Sequence, residues 1–191
     1  SWNVRDLYQR MGKGEDLEKM EDSMVAKATT PDQMRELAWR FQEDGDYDQA
    51  IELLKKALPL QPNQTYMNSE LARAYQSAGR IEEALTTYSD WIDSPLARSQ
   101  GYVDHYAIDN MIGLYRSLDR FEEAKAKNAA DLQKNPNDKV ALAVDASIAK
   151  FEKRFDDARA KYEELFTKHQ DRNVLGPLLE MAELLDDAGP V

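Results

Sequence analysis

The chain has 191 residues, 42% hydrophobic and 32% charged, with 25 Lys plus Arg against 36 Asp plus Glu and a formal net charge of -11. That apolar content can fill a core, which argues against disorder, and no run reaches the roughly 18 apolar residues of a membrane span. The absence of cysteine excludes disulfides, cysteine nucleophiles and thiolate metal sites.

Ala and Leu supply 43 residues and Val, Ile and Thr only 19, so the composition predicts an all-α chain. Leu17, Met20, Met24 and Ala28 keep helical spacing after Gly12 and Gly14, and Trp2, Leu7 and Tyr8 suggest a short helix before them. Residues 1-30 read as a degenerate leading hairpin. Four segments then align: Asp44 to Ala50, Ala78 to Ala84, Leu118 to Ala124 and Glu152 to Ala158, their last alanines 34, 40 and 34 residues apart. Each carries a turn residue, an apolar anchor three residues before the alanine, and acids between them. Gly45 and Gly79 suit a left-handed helix end, and the acids suit the amino terminus of the next helix.

Upstream of each turn lies an apolar stripe: Met34, Leu37 and Phe41; Leu71 and Tyr75; Ile108, Met111 and Tyr115; Leu142 and Ala149. Downstream runs a second, as in Ala50, Leu54 and Ala57, and Pro62, Pro95 and Pro136 punctuate the ends. Each unit is thus a helical hairpin. The units are repeat one, 31-64; repeat two, 65-98; an insertion, 99-104; repeat three, 105-138; and repeat four, 139-172. A capping helix follows over 173-188, where Leu175, Leu179, Ala182 and Leu185 define an amphipathic face whose outer side is acidic and solvated.

On these residues the chain resembles the tetratricopeptide repeat family. Repeat one reads Met34, Leu37-Ala38, Phe41, Ala50, Leu54 and Pro62, and the likeness extends over about 31-170. The resemblance implies a right-handed α-α superhelix, a solenoid of helical hairpins. Two positions depart from the pattern, Asn128 where an aromatic is expected and Asp145 where a leucine is expected, which predicts a hydrogen bond between them.

The resemblance further implies that four positions of each first helix line a concave groove. These are Asp32, Arg35, Trp39 and Gln42; Tyr66, Ser69, Arg73 and Gln76; Tyr106, Asp109, Gly113 and Arg116; and Val140, Ala143, Ser147 and Lys150. The candidate partner-binding residues are Arg35, Trp39, Tyr66, Arg73, Gln76, Tyr106, Arg116 and Lys150, with an excess of two positive charges over Asp32 and Asp109. Arginine forks hold carboxylates while Trp and Tyr supply rigid contact area, so the expected partner is an acidic peptide with apolar side chains. The chaperone-tail clamp of some family members is not matched. At its positions stand Arg35, Trp39, Glu70, Tyr106 and Asn110, of which only Arg35 could substitute.

Catalysis finds little support. His105 and His169 lie in different repeats; His105 and Asp109 share a helix face at i, i+4, but no third ligand follows, so His105 reads as a solvated histidine near a helix start. Glu82-Glu83, Glu122-Glu123 and Asp156-Asp157 recur at one turn position and read as helix-end charges. No cofactor, metal or phosphate loop is implied. Asn63-Gln64-Thr65 fits a glycosylation acceptor, a pattern short enough to arise by chance. The charge disfavours nucleic acid. The chain is read as a non-catalytic protein-interaction scaffold or adaptor, with a monomer expected from a free groove. The alternative is a structural module packing on itself or on another domain of a larger parent. Cytoplasm is the default compartment, although a periplasmic or secreted chain after signal removal would look the same, and Ser1 in place of Met reads as a trimmed or processed start.

Overall fold

A computed structural model describes residues 4-61, 65-95, 98 and 103-188. Trp2, Pro62, Asn63-Gln64, most of the 99-104 insertion and Gly189-Pro190 lie outside them. In order, the helices are α1 (Val4–Arg10), α2 (Gly14–Lys27), α3 (Pro31–Glu43), α4 (Tyr47–Ala57), α5 (Thr65–Ser77), α6 (Ile81–Asp93), α7 (His105–Ser117), α8 (Phe121–Lys134), α9 (Lys139–Phe151), α10 (Phe155–His169) and α11 (Leu175–Ala188). Short 3-10 turns cover Leu58–Leu60 and Arg172–Val174. Among the described residues there is no strand; they adopt the all-α class expected from composition and the helical hairpins expected from the recurring turns. Two compact units divide it, Ser1–Thr87 and Tyr88–Val191, the division falling inside α6.

One turn closes the hairpins of both units. In the first unit the Asp46 N–H donates to Phe41 O at 2.8 Å and Arg80 N–H to Tyr75 O at 2.8 Å; in the second, Arg120 donates to Tyr115 at 2.8 Å and Arg154 to Ala149 at 2.9 Å. These six-to-one bonds satisfy carbonyls that a helix end would otherwise leave unpaired, and they require a left-handed residue just before the donor. That residue is Gly45 (φ 80°) and Gly79 (φ 74°), but Asp119 (φ 56°) and Lys153 (φ 62°) in the second unit. The leading hairpin uses the same device, with Gly12 at φ 68° and Lys13 N–H donating to Tyr8 O at 2.9 Å.

Small residues at fixed places let the helices approach. Ala38, Ala72 and Ala146 on the first helices, and Ala50, Ala84 and Ala158 on the second, are fully buried, with Ile112 taking the first-helix place and Ala124 the second-helix place in the remaining hairpin. The next inward position holds Leu54, Tyr88 and Tyr162, all fully buried, and also Asn128, which is buried like them. In the first unit, the Arg5 guanidinium joins Glu21 at 2.9 Å and also Asp46, tying α1 to α2 and to the turn before α4.

Two expectations are corrected. Asn128 and Asp145 make no hydrogen bond to one another. Asp145 stands at the half-exposed edge of α9, where Lys161 of α10 reaches it at 2.8 Å, whereas Asn128 lines a crevice with Asp93, Lys127, Met111 and Val144. On α11 the face proposed as buried is turned outward. Val174 and Met181 are the fully buried residues there, while Leu175 is 58% exposed, Leu179 is 63% exposed and Ala182 is exposed. The helix docks by the side that follows on from Val174, about a quarter turn from the stripe read in the sequence.

The turns supply a test. At Gly79 a β-carbon would meet nothing within 4 Å, so Gly79→Ala carries only the backbone penalty and should destabilise by about 1 kcal/mol. Lys153→Gly relieves the same penalty and should stabilise by up to about 1 kcal/mol. Urea unfolding midpoints of the two variants, moving in opposite directions at unchanged slope, would bear this out.

Candidate functional site

In the first unit, α3 begins with a capping box, Thr30 accepting from Gln33 N–H and the Gln33 side chain accepting from Thr30 N–H, with Pro31 in the first turn. Leu37, Ala38 and Phe41 face the core, which leaves Asp32, Arg35, Trp39 and Gln42 on the other side. On α5, Met67, Leu71, Ala72 and Tyr75 are buried, and Tyr66, Arg73 and Gln76 take the remaining face.

The two faces meet through Arg35. Its guanidinium carbon lies 5.3 Å from the centre of the Tyr66 ring, and it stands 3.6 Å from a Glu70 carboxylate oxygen. Trp39 is 53% exposed and Tyr66 is exposed beside the stacked guanidinium. Arg73 is exposed and makes no ion pair among the described residues, while Gln76 is half-buried. Ser69, placed on the same face by the resemblance, is buried with its hydroxyl unpartnered. The surface is aromatic, with one paired arginine and one available arginine.

The second unit treats its candidates differently. Tyr106 is 55% exposed, and Arg116 is exposed with Nη1 donating to the Phe151 carbonyl at 3.1 Å. Lys150 is enclosed. Its ammonium donates to Asp109 at 2.5 Å and to Glu180 of α11 at 2.9 Å, and Ser147 donates to the same Asp109 at 2.5 Å. Burial works against the lysine charge, but the two carboxylates outweigh it and hold its pKa above the ordinary value. Val140, Ala143 and Ser147 are buried as well, so the fourth-repeat positions are occupied by intramolecular packing. With Arg35 beside Glu70 and Lys150 between two carboxylates, the positive excess counted in the sequence is largely neutralised.

His105 is not solvated. It is 7% exposed, its Nε2 lies 2.8 Å from Asp171 Oδ2, and its ring meets Tyr162 edge-on with centroids 5.7 Å apart. His105 Nδ1 and the Tyr162 hydroxyl are buried without a hydrogen-bond partner. Asp109, its helix neighbour, turns instead to Ser147 and Lys150; among the described residues no group of three or more His, Asp or Glu is placed so that it could hold a metal ion. Asp171 lies 66 residues from His105, and no local pattern in the sequence announces the pair. Burial pushes the Asp171 carboxyl up, but the bonds from His105 and from the Asn173 backbone N–H outweigh it and hold its pKa below the usual range. Burial raises the Tyr162 hydroxyl well above its ordinary value.

Among the described residues no helix is long and apolar enough to cross a membrane. A family model described as tetratricopeptide repeat matches residues 41–94, which take in the turns at Gly45 and Gly79 and helices α4 to α6. That match supports the resemblance read in the sequence. No curated protein matches the chain.

Asp171 both caps the turn before α11 and holds His105, so Asp171→Ala should cost about 1 to 3 kcal/mol at pH 7. A carboxylate whose folded pKa is depressed contributes stability above its unfolded value and loses it as pH falls through the folded one. The gap between wild type and variant should therefore narrow below about pH 4, near the ordinary Asp value, as measured by denaturant unfolding at a series of pH values.

Proposed function

We propose, from the tetratricopeptide repeat over residues 41–94 and the exposed aromatic face of α3 and α5, that the chain is a non-catalytic protein-interaction module. The observation that carries the reading is Trp39, half in solvent on a helix whose opposite side is core, next to Arg35 stacked on Tyr66. A large aromatic held on a rigid helix loses little entropy on binding, and Trp, Tyr and Arg are the residues that dominate interface energetics. Its expected ligand is a peptide segment with apolar side chains for Trp39 and Tyr66 and a carboxylate for Arg73. Gln76 adds an amide at the edge of this surface.

In the second unit, Tyr106 and Arg116 offer a smaller contact of the same kind. Lys150 is left out of the binding set because a partner carboxylate would have to displace Asp109 or Glu180. A cavity enclosed enough for catalysis has no support in these residues. The alternative, an assembly module that packs on its own copies, predicts a dimer that hides Trp39.

Affinity capture from a source lysate should return a partner with the wild-type chain that Trp39→Ala/Arg73→Glu loses, with affinity falling by about 30-fold or more, equivalent to about 2 kcal/mol. Both residues are exposed, and circular dichroism should show the variant folded. Equal capture by wild type and folded variant would remove the α3/α5 face from the reading. A dimer in light scattering that the variant dissolves would favour assembly.

A further inference from the structure

The outward apolar strip of α11 belongs to the second unit and shares no residue with the proposed α3/α5 face, and it has a close internal comparison. Asp138 caps α9, accepting from the Val140 N–H at 2.9 Å, and Asp171 caps the turn leading to α11, accepting from the Asn173 N–H at 3.0 Å. Each carboxylate takes the N–H two residues on, which aligns the two helices at an offset of 33 residues. At that offset Ala141 and Ile148 correspond to Val174 and Met181, and all four are buried.

The other face does not correspond. Ala146 and Ala149 of α9 are fully buried, yet their counterparts on α11 are Leu179 and Ala182, both exposed; half-buried Leu142 corresponds to exposed Leu175. α9 packs against α10, the helix that follows it. Two leucines four residues apart, with Ala182 beside them, therefore form an uncovered ridge where α9 is covered.

Charge narrows what can cover it. Exposed Glu183 runs along one side of the ridge and exposed Asp186 stands at its end, while Arg172 is the sole basic residue between 171 and 191. Pairing with the α11 of a second copy would bring these carboxylates together, which like-charge repulsion opposes. An amphipathic helix with a basic rim meets both features, its apolar stripe on Leu175 and Leu179 and its cations beside Glu183 and Asp186.

We propose that the exposed strip of α11 is a docking surface for a basic-rimmed amphipathic helix of another protein, which takes the place that α10 holds on α9. The probe is a labelled synthetic 20-residue helix with leucines at i, i+3/i+4 spacing flanked by lysines, set against the same peptide with glutamates for lysines. Binding to the full chain is read by fluorescence anisotropy at about 0.15 M salt, where surface charge alone is strongly screened. The lysine peptide should bind the wild type at least tenfold more tightly than it binds Leu175→Ser/Leu179→Ser or than the glutamate peptide binds the wild type. Glu183→Lys/Asp186→Lys should reverse the preference between the two peptides. Hydrogen exchange should slow in residues 175-188 on binding. No binding, equal binding by the serine variant, or no preference between peptides would overturn the proposal. So would a dimer that the serine variant abolishes, since a second copy would then be the occupant. The capture experiment on Trp39 and Arg73 has no bearing on any of these outcomes.

Discussion

A hairpin can be repeated along a chain only if each turn reverses direction in two residues and leaves no helix-end carbonyl without a partner, and the six-to-one bond with its left-handed residue meets that demand. It recurs at Gly12, Gly45, Gly79, Asp119 and Lys153. The residue that donates the bond then serves the next helix. Arg80 stacks on Tyr75 at 4.8 Å and bonds Glu83 at 2.9 Å; Arg120 stacks on Tyr115 at 5.6 Å and bonds Glu123 at 2.8 Å. The acids at the start of α6 and α8 thus complement the helix dipole and also clamp the turn arginine. These exposed pairs contribute little energy singly, and their role is to define how the second helix leaves the turn.

Once the turn sets that direction, small side chains decide how closely the helices approach. The fully buried alanines allow near contact, and Leu54, Tyr88 and Tyr162 fill the space one turn further on. Asn128 occupies that place in the third hairpin, beside a crevice where Lys127 bonds Asp93 at 2.5 Å. The hydrophobic layer is interrupted there and a polar cluster takes over. His105, Asp171 and Tyr162 form another polar group inside the second unit, joining the start of α7 to the segment after α10.

The same packing divides the surface into used and unused parts. Docking of α11 brings Glu180 to Lys150, so that lysine is spent on holding α11. In the first unit, Trp39 and Arg73 have no such claim on them and stay exposed. α11 docks through Val174 and Met181 and leaves an apolar edge at Leu175 and Leu179.

The repeat period, the hairpin turns and the all-α class could be read from the residues alone, because each depends on contacts within about ten residues and recurs at matching places, so four weak local signals add. That Arg35, Trp39, Tyr66 and Arg73 share one side of their helices was implied by the resemblance to the repeat family, whose register carries over position by position. What those side chains touch could not be read this way. Glu70 against Arg35, Asp109 and Glu180 against Lys150, and Asp171 against His105 join residues 30 to 66 positions apart, and a carboxylate has the same local signature whether it is solvated or buried. Asp145 shows the same limit, a polar residue at a leucine position that satisfied itself with Lys161 rather than Asn128. The face of α11 was decided last, because a helix with leucines at 175, 178, 179, 184 and 185 has apolar residues around more than half its girth. Its pattern permits more than one docking angle, and only the surface offered by α10 and the fit of Val174 and Met181 selected the one it adopts.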